Sequence, residues 1–260
     1  MPILDTKIKE LEDMKKYPEK LFYDGNLELL KRPKISIVGS RRPLKYSKTQ
    51  ISNLASKLSN AGICVVSGGA MGIDAIAHQG AGANNTISVL PCGIDLRYPS
   101  VNKNLLNDIA ENGLLLSQFD VGEKSRPYSF VLRNEVVVAL GDALIVGEAD
   151  EGSGTMRSVE FALEMGKDIY VLPHRIGESN ATNKLLQNSK AKLITDIDSF
   201  IYSLYPDAKS AKEIVSDDFL KYCSTNPSYE DAVAKYPVRI FEAELSGEIV
   251  IKDGSVRVLT

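Results

Sequence analysis

The chain has 260 residues, of which 43% are hydrophobic and 25% charged, and its formal net charge is -3 at pH 7. This length and composition predict a globular protein with one large domain and a small appendage. No apolar run approaches the roughly 20 residues of a membrane span, and the first residues lack the order of a signal peptide, so we expect a cytoplasmic protein without membrane contact. The three cysteines form no C-x-x-C pair, which disfavours a zinc site, and no cofactor is expected.

Seven short apolar runs predict buried β-strands. They lie at residues 35–38, 64–66, 86–90, 114–116, 143–146, 169–172 and 192–194. Between these runs, apolar residues recur at helical spacing, as in residues 51–61, which are followed by Gly62. Strands and helices that alternate in this way predict an α/β fold with a mainly parallel sheet and helices on both faces.

The loops that follow three of these strands share a composition. Residues 39–42 (GSRR), 67–72 (SGGAMG) and 147–155 (GEADEGSGT) contain glycine and end where a helix is predicted to begin. In such sheets ligands bind beyond the carboxyl ends of the strands. A glycine lets the backbone approach a ligand, and the free N–H groups of a helix start favour an anion. A single glycine of this kind is often only structural, but three such loops at one sheet edge predict an anion site.

The basic residues are concentrated in one segment. Between Glu28 and Asp74 there are eight lysines and arginines and no acidic residue, whereas residues 207–260 carry ten acidic against seven basic residues. A basic surface on an otherwise acidic protein is typical of a partner that carries phosphate groups. The alternative, solvated lysines on a helix surface, stays open for Lys45, Lys48 and Lys57.

Familiar nucleotide and catalytic motifs do not occur in the sequence. Neither GSRRPL nor SGGAMG has the G-x-G-x-x-G spacing of a dinucleotide site, and no G-x-x-x-x-G-K-[ST] or G-x-S-x-G is present. The two histidines, His78 and His174, form no metal-binding pair. We interpret His78 as a helix-surface partner of Asp74 or as a buried contact, and Asp74 itself as a helix cap.

Seven segments, in order, carry a resemblance to a known family: ISIVGSRRP, VVSGGAMGIDAIAHQGA, TISVLPCGIDLRYPSVNKNLL, LLSQF, PYSFVLRN, ALIVGEADEGSGT and ALEMGKDIYVLP. They resemble the DprA/Smf family of bacterial DNA-processing proteins. The resemblance implies an extended Rossmann-like fold that binds single-stranded DNA and forms a homodimer. It further implies a role in natural transformation, in which the protein protects incoming DNA and helps to load the RecA recombinase, without a catalytic step.

The resemblance also implies which residues contact DNA. Phe130 matches an aromatic position that contacts a base, with ordinary core packing as the alternative, and Arg133 and Asn134 either contact DNA or brace the loop. An arginine can hold a phosphate bidentately, while loop amides add neutral donors. The positions that match the phosphate pocket and its basic neighbours are Gly39, Ser40, Arg41, Arg42, Lys45, Ser67, Gly68, Gly69, Ala70, Gly72, Ser153, Gly154 and Thr155.

Two departures from related patterns matter. Where the family commonly has a second arginine, this chain has Glu135, which is expected to lower the positive charge near the site. The segment GSGTMRSVE also resembles the PGGxGTxxE motif of nucleotide hydrolases with a similar fold, but Ser158 stands at the glutamate position and Glu160 lies two residues further on. A nucleoside monophosphate phosphoribohydrolase or a small-nucleotide sensor is therefore the alternative function.

The last fifty or so residues are expected to form a separate module. Residues 214–223, 229–235 and 239–245 predict three helices, and EIVIKDGSVRVL predicts a hairpin around Asp253 and Gly254. Three short helices and a hairpin favour a winged-helix-like domain, and its acidic composition favours a protein contact or regulatory role over duplex DNA. The expected domains are thus a helical lead-in at residues 1–33, the Rossmann-like domain at 34–205 and the winged-helix-like domain at 206–260.

Overall fold

A computed structural model of the chain describes residues 2–207, 218–223, 225–252 and 254–258. The chain divides into two compact units, Met1–Ala208 and Lys209–Thr260. Among the described residues, no helix combines the length and the apolar character that crossing a bilayer requires.

The first unit is built on one sheet with a topological switch near its middle. Its order is β1-β5-β4-β3-β2-β6-β7-β8, and its neighbouring strands are parallel except for β1 and β5. The chain runs outward from β2 to β5 and then returns to place β6 on the other side of β2, which creates a crevice beyond these two strands. The strands are β1 (Phe22–Gly25), β2 (Lys34–Val38), β3 (Cys64–Ser67), β4 (Thr86–Val89), β5 (Leu114–Ser117), β6 (Leu144–Val146), β7 (Ile169–Val171) and β8 (Lys192–Leu193).

Helices cover both faces of this sheet. One cluster of buried side chains joins α1, α2 and α7 to the face that carries Ile35 and Ile37, and another joins α4, α5 and α6 to the face that carries Val38. This division follows from the alternation of side chains along each strand. The helices are α1 (Lys45–Asn60), α2 (Ile73–Ala81), α3 (Lys103–Asn112), α4 (Pro127–Leu140), α5 (Thr155–Glu164), α6 (Asn180–Gln187) and α7 (Ile197–Leu204).

The predicted α/β architecture is confirmed, because the seven apolar runs correspond to β2 through β8. The sequence prediction missed β1, a short strand with the sequence FYDG that pairs antiparallel with β5 at the edge of the sheet. The expected helical lead-in therefore contains a strand, flanked by two 3-10 helices at Lys9–Asp13 and Leu27–Lys31. Leu11 and Leu29 from these turns are fully buried in the core.

The segment between Glu28 and Asp74 contains no acidic residue, but in the fold acidic residues lie against part of it. Four of its eight basic residues make contacts away from the predicted site: Lys31 with Glu28 at 2.7 Å, Arg32 with Asn85 at 2.6 Å, Lys34 with Glu10 at 2.5 Å, and Lys57 with Asp198 at 2.6 Å. The predicted basic surface is therefore limited to part of this segment, because Lys34 and Lys57 pair with acids from other parts of the chain. The remaining four, Arg41, Arg42, Lys45 and Lys48, lie after β2 and are exposed.

The second unit contains three helices and a hairpin within the described residues. They are α8 (Asp218–Cys223), α9 (Tyr229–Lys235) and α10 (Arg239–Ser246), followed by β9 (Ile249–Lys252) and β10 (Ser255–Val258), which pair antiparallel. Phe219, Ile240 and Val256 belong to its small buried core. Residues 214–217 of the first expected helix and Asp253 of the expected turn lie outside the described residues. The winged-helix-like arrangement stays a prediction.

His78 is a structural residue of the first unit. Its Nδ1 lies 2.6 Å from Thr86 Oγ1, which itself donates to Val65 O at 2.7 Å, so Nδ1–H is the donor to Thr86. Its Nε2 has no hydrogen-bond partner among the described residues. Burial lowers the pKa of His78 to about 3. The residue is thus neutral near pH 7, and of the two interpretations offered from the sequence the buried contact is correct.

We expect the free energy of unfolding to fall as the pH is lowered from 8 to 5. The unfolded chain binds a proton at His78 below its ordinary pKa of 6.5, while the folded chain excludes it down to about 3. This difference removes about 2 kcal/mol of stability by pH 5. Urea unfolding curves at both pH values measure it, and His78→Gln, which does not titrate, should lose that much less. An equal loss in the two proteins would contradict the prediction.

Candidate functional site

A cleft of about 460 Å³ lies at the topological switch, beyond the carboxyl ends of β2 and β6. Its walls come from the loop after β2, the loop after β6, the start of α5 and one side of α4. The cleft brings together most of the residues proposed from the sequence: Gly39, Ser40, Arg41, Ala70, Phe130, Arg133, Asn134, Ser153, Gly154 and Thr155. The loops that follow the strands converge as the sequence predicted, because parallel strands end at one edge of a sheet.

Glu148 holds the loop that carries Arg41. Its backbone oxygen accepts from Ser40 N at 2.8 Å, and its Oε2 accepts from Leu44 N at 2.8 Å and from Ser47 Oγ at 2.6 Å. Because these bonds fix the loop at both ends, Arg41 is displayed between them at a defined position. Glu148 is 7% exposed, and its carboxylate holds the loop through these hydrogen bonds.

The exposed Arg41 and the half-buried Phe130 form the rim of the cleft. The guanidinium carbon of Arg41 lies 5.6 Å from the centre of the Phe130 ring. The same ring meets Tyr98 edge-on, with centroids 5.9 Å apart and an interplanar angle of 64°. A cation over an aromatic face is a stabilising arrangement, and here it sets a positive charge directly beside two aromatic rings.

Arg133 lies beneath the cleft and braces it. The guanidinium is 4% exposed and donates to Gly68 O and, at 3.1 Å, to Val89 O, while Nε donates to Asn134 Oδ1 at 3.0 Å. Burial lowers the pKa of Arg133, and the charge of Asp74 opposes that effect. A Cβ at Gly68 would overlap the guanidinium. Of the two roles offered from the sequence, these contacts correspond to bracing the loop, although Arg133 and Asn134 also line the cleft wall.

Most of the glycine-rich loop at residues 67–72 supports the cleft wall and does not line the cleft. Ala70 lines the cleft, and its N–H donates to Asp74 Oδ2 at 3.3 Å. Burial raises the pKa of Asp74, while Arg133 and loop N–H groups oppose the rise. Gly72 has a φ of +80°, and a Cβ there would overlap Ser40 O. Asp74 lies within α2 and holds the loop through the hydrogen bond from Ala70 N. It therefore does not cap the helix from the position before the first helical residue.

The start of α5 leaves part of its backbone donors unpaired among the described residues. Gly154 precedes the helix, and no side chain of the described residues caps it. The N–H groups of Met156 and Arg157 donate to Ser153 O at 3.0 Å and Gly154 O at 3.2 Å, so the N–H groups of Gly154 and Thr155 are the ones that favour an anion. Ser153 Oγ and Ser158 Oγ have no hydrogen-bond partner among the described residues, and both residues line the cleft. Glu160 is exposed and pairs with Arg157 at 2.6 Å. The carboxylate that the hydrolase motif requires is thus replaced in the cleft by the Ser158 hydroxyl.

Several residues proposed from the sequence lie outside the cleft. Arg42 and Lys45 are exposed near the start of α1, while Ser67, Gly68, Gly69 and Gly72 lie in the supporting loop, where Ser67 Oγ donates to Ile37 O at 2.6 Å. Glu135 faces away from the site, because its Oε1 accepts from Lys15 N at 3.1 Å. The expectation that Glu135 lowers the positive charge at the site is therefore corrected.

Several residues around the site were not proposed from the sequence. Asp150 and Ser158 line the cleft, and Tyr98 contacts Phe130 from the loop after β4. Ser158 could have been found, since it follows Thr155 by three residues and so shares its side of the helix. The RYP sequence at Tyr98 gives no such signal, because the approach of its ring to Phe130 depends on the tertiary fold.

Comparison with known proteins gives the same family from sequence and from structure. The family model described as DNA recombination-mediator protein A matches residues 6–205. The DNA processing protein DprA of Streptococcus pneumoniae is 38% identical over 190 residues, which are 72% of this chain and 67% of that protein. Protein Smf of Synechocystis is 33% identical over 187 residues, 69% of this chain and 47% of the relative. The matched region thus spans from about half to two thirds of these relatives.

Two solved structures share this fold. DNA processing protein A of Helicobacter pylori, whose structure is described as giving insight into its single-stranded DNA binding mode, superposes with a TM-score of 0.78 and 39% identity over 80% of this chain and 97% of that chain. DprA of Streptococcus pneumoniae gives a TM-score of 0.73 and 34% identity over 80% of this chain and 74% of that chain. The chain therefore belongs to the DNA recombination-mediator protein A family, the DprA/Smf proteins.

Proposed function

We propose that the chain binds single-stranded DNA through the cleft at the switch point, with one backbone phosphate between Arg41 and the start of α5. The observation that carries this proposal is the position of Arg41: an exposed guanidinium beside an aromatic ring, at the rim of a cleft that also contains an uncapped helix start. The single-stranded DNA binding mode described for the Helicobacter pylori relative supports the same ligand class.

The chemistry of the cleft fits a phosphodiester in any sequence context. Arg41 supplies a charged donor that can bind a phosphate bidentately, and the N–H groups of Gly154 and Thr155 at the start of α5 add neutral donors with the Ser153 and Ser158 hydroxyls. The Phe130 ring at the same rim offers a stacking surface that every base can use. The positive charge of Arg41 at the rim favours a DNA strand that passes over the cleft. The buried guanidinium of Arg133 lies beneath the cleft.

The wider role that we propose follows the family. It comprises protection of incoming DNA and help in loading the RecA recombinase during natural transformation, with a homodimer as the working form and without a catalytic step. The acidic second unit fits a protein contact better than a grip on duplex DNA, since its surface carboxylates repel phosphates. Family membership supports these proposals.

Arg41→Ala should weaken the binding of oligonucleotides of all sequences by roughly 10- to 100-fold, as expected for a hydrogen bond to a charged group. The slope of log K against log salt should become shallower by about 0.7 for the lost phosphate contact. Fluorescence anisotropy titrations at several salt concentrations measure both quantities.

Arg32→Ala is the matched control for Arg41→Ala. Arg32 is also an exposed arginine, but it precedes β2 and contacts Asn85, so it lies at the opposite end of that strand. The control should keep the affinity and the slope of the wild type. If Arg41→Ala also keeps both, this site is not the phosphate site.

Phe130→Ala should weaken binding by about 1 to 3 kcal/mol without changing the salt slope, because base stacking releases no counterions. Phe130→Tyr keeps a ring at this position and should bind nearly as the wild type does. The same titrations distinguish the outcomes. An alanine variant with wild-type affinity would assign Phe130 to packing against Tyr98 and Arg41 alone.

The hydrolase alternative is tested by incubation of the protein with AMP. Because Ser158 replaces the carboxylate and Glu160 is paired outside the cleft, we expect no release of free adenine. Chromatography of the reaction detects the base, and turnover would overturn the binding-protein proposal. Competition by AMP for a labelled oligonucleotide, without turnover, would instead favour the small-nucleotide sensor.

A further inference from the structure

A second, shallow notch adjoins the cleft on the other side of Arg41 and Phe130. These two residues, with Ala70 and Arg133, line both depressions. The walls that belong to the notch but not to the cleft are Gly68, Met71, Pro91, Tyr98 and Pro99. The phosphate cleft is thus continued by a surface of different chemistry, formed mainly by apolar side chains.

Two large side chains expose apolar surface in the notch. Met71 is 45% exposed and Tyr98 is 43% exposed, and they come from different loops, after β3 and after β4. Both side chains line the same notch beside Arg41, so their exposed apolar surface is available to a ligand that lies there. Met71 follows Ala70 in the chain and Tyr98 contacts Phe130, and both Ala70 and Phe130 also line the cleft.

The aromatic ring that is most open to a ligand in this notch is that of Tyr98. Phe130 is half-buried, with Arg41 over its ring and Tyr98 against it. Tyr98 meets Phe130 edge-on, so this contact does not stack the two rings face to face. Phe130 thus has two parts in the notch: its ring holds Tyr98 in position, and its remaining exposed surface is open to a base.

The covalent structure of a nucleotide matches this pair of depressions. One sugar joins each base to its phosphate, so a base is held close to its phosphate but outside the pocket that binds it. A strand whose phosphate lies at Arg41 would bring the attached base over the neighbouring notch. Bases stack on tyrosine rings and contact the flexible, polarisable methionine side chain favourably.

We propose that Tyr98 and Met71 form a nucleobase subsite, in which one base of the bound strand stacks on the Tyr98 ring while its phosphate occupies the cleft at Arg41. The proposal rests on the proposed function and adds to it a second aromatic residue and a place for the base. The subsite accepts any base, because its walls offer ring and thioether surface rather than a fixed pattern of donors and acceptors.

The test uses two oligonucleotides of the same length and charge: oligothymidylate, and the same strand with abasic sugars throughout. Tyr98→Ala should weaken the binding of oligothymidylate by roughly 5- to 100-fold and leave the binding of the abasic strand unchanged. Tyr98→Phe, which keeps the ring, should bind both strands as the wild type does. Tyr202→Ala is the matched control, since Tyr202 is 69% exposed on α7 and does not line either depression.

Met71→Ala provides a second variant whose side chain is already largely exposed, and it should show the same base-dependent pattern with a smaller loss, even if Tyr98→Ala does not fold. Equal losses for the two strands, or no loss in either variant, would overturn the subsite while single-stranded DNA binding by the wild type stands. A wild-type protein that binds neither strand would overturn the proposed function, and the subsite with it.

Discussion

The buried guanidinium of Arg133 is the constraint around which the floor of the cleft is organised. A charge removed from water costs several kcal/mol unless hydrogen bonds and an opposite charge compensate for it. Here the carbonyl oxygens of Gly68 and Val89 accept hydrogen bonds, and Asp74 contributes the negative charge. Gly68 lacks a side chain because the guanidinium occupies that space. The loop after β3 and the last residue of β4 are therefore fixed relative to α4 by one side chain.

Two arginines with different tasks lie close together at this site. Arg133 makes three hydrogen bonds within the protein, whereas Arg41 is exposed and is held by its loop and by the contact with the Phe130 ring. Glu148 fixes that loop from below, so the exposed arginine requires little ordering when a ligand arrives. A pre-organised cation loses less conformational entropy on binding than a flexible one. This arrangement separates the residue that shapes the site from the residue that is proposed to bind.

The sequence predicts the sheet well because each strand is a local pattern. It predicts the roles of the site residues less well because those roles depend on contacts between residues that are distant in sequence. Strands β2 to β8 were recognisable because burial on both faces makes each of them a local apolar run. The convergence of their loops followed from the topology of a parallel sheet. The roles of the glycines at residues 67–72 depend instead on Arg133, a side chain more than sixty residues away, and on Asp74. Tyr98 and β1 were missed because their partners, Phe130 and β5, are also distant in sequence.

The pairing of β1 with β5 also governs which edge of the sheet is available to other chains. β5 is a run of buried leucines, and β1 covers its outer edge in antiparallel register from Phe22 with Ser117 to Gly25 with Leu114. A form of the protein that starts after Gly25 would leave unpaired those backbone N–H and C=O groups of β5 that face β1, while the pairing of β5 with β4 remains. Such an edge is a template for the addition of a foreign strand. The first 25 residues thus determine which strand, β1 or β5, presents this outer edge of the sheet.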